Sequence, residues 1–155
     1  MIAIKPHHFV DIITQLGDEE TQFQPHPYGH AVHSVAQQIL ANRDILLCIE
    51  LGSDAICEPC CHNVNGLCDD TIDTSFRPQA PASKLDYNLL IDQRWCQRLE
   101  LEQAQQLTAR EFCTRIQACA GNIEDIYRET PARRTQARQA KLAKGVAWFL
   151  GEEIV

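Results

Sequence analysis

A group of cysteines in the first half of the chain is the feature of the sequence that most directly predicts chemistry. The stretch SDAICEPCCHNVNGLCDD, residues 53–70, holds four of the eight cysteines and is called the cysteine loop below. Cys57 and Cys60 form a C-x2-C motif, and Cys68 follows beyond Asn65-Gly66, a turn dipeptide that lets the chain fold back. Thiolates are soft ligands that bind zinc, copper(I) or iron–sulfur clusters. The spacing therefore predicts a metal site with Cys57, Cys60 and Cys68 as ligands.

The cysteine loop does not supply an obvious fourth ligand. Zinc sites and cubane clusters both normally take four protein ligands. Cys61 is adjacent to Cys60 and would point the other way on an extended backbone. The sequence has no second C-x2-C motif that could complete a closed zinc site. Three close cysteines with one distant ligand favour an iron–sulfur cluster, while zinc and an unligated, reduced loop are the alternatives.

The histidines are also unevenly distributed, because all six lie within the first 62 residues. His26, His30 and His33 form an H-x3-H-x2-H pattern, in which the last two would share one face of a helix and could hold a metal. No acidic residue completes a signature such as H-E-x-x-H. Two interpretations stay open: imidazoles that are exposed or packed in the core, and proton donors that line a pocket beside the cluster.

The elements that would position these residues are mainly helical. The apolar spacing predicts helices over residues 8–16 and 32–41, a helix from Ser83, one that begins at the Thr108–Glu111 capping box, and one opened by Pro131. In the helix after Ser83 we expect one apolar stripe, formed by Leu85, Leu89, Asp92, Cys96 and Leu99. The segments IAIK and DILLCIEL favour short strands. The expected fold class is mainly α with one or two short β-strands, a small α+β fold.

A chain of 155 residues is expected to form a single domain, 1–155, large enough to bury a core. Within it we expect the cysteine loop, 53–70, to lie between an N-terminal and a C-terminal helical half, with a polar connector at 71–84. Lys5, Pro6 and Asp11 interrupt any apolar run at the start, and no segment approaches the roughly 18 apolar residues of a membrane span. We therefore expect a cytoplasmic protein with reduced thiols and no membrane association.

The charge of the chain argues against nucleic acid as a partner. Acidic residues outnumber lysine and arginine by 21 to 14, which gives a formal net charge of −7. The stretch RETPARRTQARQAKLAK, residues 128–144, is basic all the same. It is interpreted either as a local basic surface or as an ordinary solvated helix face.

Four segments match the motifs of one known family. Residues 5–8, KPHH, match its opening R/K-P-H-H, and residues 53–60, SDAICEPC, match its D-D-I-C-x2-C. His62 with Gly66-Leu67-Cys68 matches its later H…G-x-C, and residues 90–112 are similar to its downstream helix and turn. On these motifs the chain resembles the uncharacterised bacterial and archaeal family called domain of unknown function 1284 (DUF1284), whose cysteines have led to a suggestion of iron–sulfur binding.

The resemblance also implies where the fourth ligand lies. The family usually carries a cysteine three residues after the second histidine, where this chain has Asp11. The implied ligands are therefore Cys57, Cys60 and Cys68 with a non-cysteine group, for which His8, His7 and Asp11 are the candidates. Such a cluster would have an altered potential or an exchangeable position for a small molecule. Loss of the cluster, with another metal or none in its place, is the third consequence that stays open.

These observations predict a cytosolic iron–sulfur protein with one [4Fe–4S]-type cluster. It would transfer electrons to a redox partner protein or bind a small molecule at the incompletely cysteine-ligated cluster. The alternative is a zinc-binding structural or interaction module whose basic C-terminal helix docks a partner. The sequence contains no Gly-rich phosphate loop, nucleophile elbow or dinucleotide fingerprint, so it indicates no particular reaction.

Overall fold

The computed structural model describes residues 1–19 and 21–151. The helices there are α1 (Pro6–Leu16), α2 (Val32–Ala41), α3 (Lys84–Leu99), α4 (Ala109–Cys119) and α5 (Ala132–Phe149). The strands are β1 (Ile2–Ile4), β2 (Leu46–Ile49), β3 (Asn63–Val64), β4 (Leu67–Cys68) and β5 (Gln106–Thr108). The predicted fold class is confirmed. The two expected strands are β1 and β2, and the structure adds three others of two or three residues each.

A small sheet joins the beginning of the chain to the segment before the cysteine loop. Its strand order is β1-β2-β5, in which β1 pairs with β2 in parallel and β5 pairs with β2 in antiparallel orientation. Ile4 is opposite Ile49 at the carboxyl ends of the parallel pair. Helix α1 begins directly after β1, and the cysteine loop follows β2. Both therefore leave the sheet at the same edge, which brings the first turn of α1 to the cysteine loop.

Helices α1 and α5 pack with their backbones in contact. A Cβ atom added to Gly17 would overlap the carbonyl group of Lys141, and one added to Gly145 would overlap that of Ile13. Around this crossing lies an aromatic core, in which the Phe9 ring is 4.2 Å from that of Phe112 and 6.3 Å from that of Phe149, centroid to centroid. The contact between the two helices fixes the position of α1, and therefore also the position of the histidines in its first turn.

The buried face of helix α3 matches the predicted stripe only in part, at Asp92 and Leu99. The residues buried on it are Tyr87, Ile91, Asp92, Trp95 and Leu99. Leu89, expected in the apolar stripe, is 38% exposed. The indole Nε1 of Trp95 instead donates a 3.0 Å hydrogen bond to the hydroxyl of Tyr127 in the core. The large aromatic side chains thus determine which face of α3 points inward.

A membrane-spanning helix needs about 20 largely apolar residues. No helix in the described part of the chain is long and apolar enough to cross a bilayer. The 18-residue α5 carries five basic side chains. The described residues include all eight cysteines, and each is a free thiol.

Candidate metal centre

Two buried carboxylates hold the first turn of α1. Lys5 at the N-cap makes no capping hydrogen bond with its side chain. The backbone N–H of Lys5 donates to Asp54 Oδ2 at 2.7 Å, and that of His7 donates to Asp92 Oδ1 at 2.7 Å. Both acids are 3% exposed or less. Negative charge at the N-terminus of a helix is favourable, because it satisfies free N–H groups and complements the helix dipole.

Asp54 also connects His8 to the cysteine loop. Its Oδ2 lies 2.7 Å from His8 Nδ1, and its Oδ1 accepts the backbone N–H of Cys57 at 2.9 Å. Burial on its own would raise the pKa of Asp54. The hydrogen bond and charge of His8, together with the two backbone N–H groups, outweigh burial and hold that pKa well below its usual range. Asp54 is therefore a carboxylate at neutral pH that orients two potential metal ligands.

His8 presents a neutral imidazole. Burial and the neighbouring His7 lower the pKa of His8, against the opposing effect of Asp54. Because Asp54 is ionised, the Nδ1 atom of His8 is assigned the proton that it donates. The Nε2 atom then keeps a free lone pair, which is the arrangement by which carboxylates orient metal-binding histidines.

The ligand atoms of His8, Asp54 and Cys57 lie within 4.8 Å of one another. Among the described residues, these three side chains form the one cluster of His, Cys, Asp or Glu that is close enough to hold a metal ion. Burial, with the negative charge of Asp54 as the next influence, raises the pKa of the Cys57 thiol to about 12. A cation would offset both effects, because metal ions deprotonate the thiols that they bind. Nitrogen and sulfur ligands together favour a transition metal over Mg²⁺ or Ca²⁺.

Asn63 links the three cysteines of the predicted site. Its backbone N–H donates to Cys60 O at 3.0 Å, and its side-chain Nδ2 donates to Cys57 O at 3.1 Å. Asn63 is also opposite Cys68 in the β3–β4 hairpin. All three cysteines are half-buried. Asn63 was not among the predicted site residues, although a side-chain amide just before the Asn65-Gly66 turn is a signal of such a folded loop.

The Asn65-Gly66 turn has the geometry that its sequence predicts. The backbone φ angles are 53° at Asn65 and 84° at Gly66, so both residues are left-handed. Two left-handed residues close a two-residue hairpin whose twist matches that of its strands. The turn returns the chain to Cys68 beside the C-x2-C motif, as expected.

The structure separates the three candidates for the fourth ligand. His8 lies at Cys57, as described above. His7 Nδ1 is instead 2.9 Å from both carboxylate oxygens of Asp92. Asp11 forms a 2.8 Å ion pair with Arg138 of α5. Among His8, His7 and Asp11, only His8 belongs to the group around Cys57.

A segment rich in histidine lies over the cysteine loop. Cys61 donates its backbone N–H to Tyr28 O at 2.8 Å, and the Tyr28 ring contacts that of His62 at 4.5 Å. The rings of His26 and His30 are stacked with centroids 4.4 Å apart. The buried Nδ1 atoms of His30 and His33 have no hydrogen-bond partner in the described structure. None of the imidazoles of His26, His30 and His33 joins the three-residue group around Cys57.

No model of a known protein family matches the chain, and no curated protein and no solved structure gives a significant match.

Proposed function

We propose that this chain binds an iron–sulfur cluster through Cys57, Cys60, Cys68 and His8. The observation that carries the proposal is the position of His8, whose ring is held at Cys57 by the buried Asp54. A ligand from α1 and three from one loop make up the four that a cubane takes. The resemblance to DUF1284 implies the same type of cofactor.

Among the described residues, the sulfurs of Cys57, Cys60 and Cys68 do not form a group tight enough for one zinc ion. Thiolates on one tetrahedral zinc, with bonds of roughly 2.3 Å, lie about 3.8 Å from one another. The group within 4.8 Å contains Cys57 but neither Cys60 nor Cys68. A cubane offers a different iron to each sulfur, so its ligands are spaced more widely than those of one zinc ion.

The role that fits such a site is electron transfer, or binding of a small molecule at the histidine-ligated position. Imidazole in place of thiolate raises the reduction potential of a cluster and leaves a more exchangeable ligand. The partner would then be a redox protein or the small molecule itself. We place the protein in the cytoplasm, where thiols remain reduced.

Zinc is the second candidate. The observation in its favour is the group His8, Asp54 and Cys57, whose ligand atoms are close enough for one ion. Asp54 already accepts three hydrogen bonds, which commits it to orienting the other two residues. In this alternative the metal stabilises a module for protein interaction, in which the basic α5 contacts the partner.

Anaerobic purification with metal analysis tests the proposal. We expect a broad absorption near roughly 400 nm and about four irons and four sulfides per chain. Cys57→Ala should abolish both, whereas Cys119→Ala, which changes an exposed cysteine on α4, should leave them intact. A colourless protein with about one zinc per chain would support the second candidate. A protein with neither metal, after attempted reconstitution, would contradict both.

A further inference from the structure

A cationic cleft lies apart from the candidate metal centre, between α1, α5 and the connector at 71–84. Its volume is about 560 Å³. Asp11 lines the cleft and lies one helical turn after His8. The cleft and the candidate metal centre therefore use neighbouring turns of helix α1. The basic stretch noted in the sequence supplies one of its walls through Arg134, Arg138 and Lys141.

Two of the four cations in the cleft are not neutralised by a carboxylate. Arg138 pairs with Asp11 at 2.8 Å, and Lys141 pairs with Asp18 at 2.9 Å. Arg77 and Arg134 have no carboxylate oxygen within 4.0 Å among residues 1–19 and 21–151. The cleft lining therefore has four cations and two carboxylates, although the chain as a whole is acidic.

One further carboxylate lies near the two unpaired guanidinium groups. Hydrogen bonds from Ser75 lower the pKa of Asp73, and the charges of Arg77 and Arg134 lower it further. Asp73 Oδ1 accepts the backbone N–H of Ser75 at 2.9 Å. Asp73 is exposed and does not line the cleft, and its backbone oxygen accepts the Nε–H of Arg77 at 2.8 Å. Arg77 therefore keeps its two terminal NH2 groups, and Arg134 its whole guanidinium, as donors for another anion.

Aromatic rings hold the arginines in place. The guanidinium carbon of Arg134 is 3.9 Å from the centroid of the Phe76 ring, and that of Arg77 is 4.7 Å from the same ring. Arg77 also lies 4.6 Å from the Tyr87 ring. Such contacts leave the N–H edges of a guanidinium free, and those edges match the oxygens of phosphate and carboxylate. Since the rings already restrict the side chains, less conformational entropy is lost on binding.

Thr135 adds an unsatisfied donor. The residue is 2% exposed, and its Oγ1 atom has no hydrogen-bond partner in the described structure. Thr135 lines the cleft and is adjacent to Arg134 on α5. A buried hydroxyl without a partner is unfavourable, and an oxyanion in the cleft would supply the missing acceptor.

We propose that the cleft binds the phosphate group of a small phosphorylated molecule, with Arg77, Arg134 and Thr135 as donors. A phosphate monoester carries a charge of about −1.5 to −2 at pH 7 and several acceptor oxygens, which matches the two unpaired arginines and the hydroxyl. The cleft is larger than a phosphate group requires, so there is room for an organic part against the Phe76 and Tyr87 rings. This inference does not depend on the nature of the metal centre.

Titration calorimetry of the full chain with inorganic phosphate, at constant ionic strength, tests the proposal. Arg134→Gln should weaken phosphate binding about tenfold or more. The matched control is Arg133→Gln, which makes the same charge change at the preceding exposed residue outside the cleft, and it should have little effect. Thr135→Val should also weaken binding, and circular dichroism should show that both cleft variants remain folded.

Three outcomes would overturn the proposal. The first is no binding at millimolar phosphate, and the second is an equal loss in Arg133→Gln and Arg134→Gln, which would indicate general electrostatic attraction. The third is tighter binding of succinate than of phosphate, which would make the cleft a dicarboxylate site. Phosphate binding that only Arg134→Gln and Thr135→Val weaken would support the assignment.

Discussion

The Nδ1 atom of His8 and the Oδ2 atom of Asp54 are 2.7 Å apart, although 46 residues separate the two in the chain. Asp54 also accepts the backbone N–H of Cys57, so one carboxylate positions a nitrogen and a sulfur ligand together. The carboxylate itself is buried and ionised, which makes it the group on which the geometry of the candidate metal centre depends.

Removal of the charge on Asp54 should weaken metal binding, although every cysteine is still present. Asp54→Asn is expected to lower metal affinity by about 10–100-fold, because the amide orients His8 less strongly. Competition with a chelator measures this. Asp69→Asn is the matched control, since Asp69 pairs with the more exposed His62 in the same loop. Equal affinities of wild type and Asp54→Asn would contradict the orienting role.

Exchange of His8 for cysteine should lower the reduction potential of the proposed cluster. Histidine ligation raises cluster potentials relative to cysteine ligation, so His8→Cys reverses that effect. Potentiometric titration followed by absorption measures the change. His8→Cys with an unchanged potential would show that residue 8 is not a ligand.

The buried pair His7–Asp92 should contribute strongly to stability. Asp92 is fully buried, and Asp92→Ala would leave the His7 imidazole and its backbone N–H without their acceptor. We expect the free energy of unfolding to fall by about 3–5 kcal/mol. Urea denaturation measures this. Asp86→Ala, at an exposed position in the first turn of α3, should cost less than about 1 kcal/mol.

The same pair should make the stability of the metal-free protein depend on pH. Burial lowers the pKa of His7, but the charge and hydrogen bond of Asp92 outweigh it, so the pKa is raised in the folded state. The contribution of His7 is therefore fully present below the unfolded value of about 6.5 and is lost as the pH rises through the folded pKa. Denaturation at a series of pH values upward from about 6.5 should show this fall in wild type and not in Asp92→Ala.

The crossing of α1 and α5 should not tolerate a methyl group. Replacement of a helical glycine by alanine usually stabilises a protein by up to about 1 kcal/mol. Gly145→Ala should instead destabilise the fold by about 1–3 kcal/mol, because its Cβ would overlap the Ile13 carbonyl group. Gly52→Ala is the control, since its Cβ would meet only the flexible end of the Glu50 side chain. A stabilised Gly145→Ala variant would show that the two helices can separate.

Local signals in the sequence predicted most of the elements. Periodic apolar residues gave α1 and α2 to within about two residues, and the Thr108–Glu111 capping box forms as expected at the start of α4. These features depend on neighbours within one or two helical turns, which the sequence displays directly. The C-x2-C motif and the Asn65-Gly66 turn were also local, and the structure places both in one folded loop.

Contacts between distant segments could not be predicted from such local signals. The role of Asp54 arises only when β1 pairs with β2, and β5 is too short to have a periodicity of its own. The stripe on α3 was wrong at Leu89, because tertiary packing selected the face with Tyr87 and Trp95. The resemblance to DUF1284 and the identity of the cofactor stay predictions.

The parallel pairing of β1 with β2 sets the order in which the proposed holoprotein can mature. His8 is synthesised well before the cysteine loop, and the two meet only after α2 and β2 have emerged and the sheet has closed. Closure of a long chain segment costs entropy that packing of the core must first offset. Ligation by His8 would thus require the sheet to be closed, whereas the three proposed cysteine ligands lie in one loop of the chain. A nascent polypeptide does not yet present His8 beside Cys57, so the complete set of proposed ligands exists only in the folded chain.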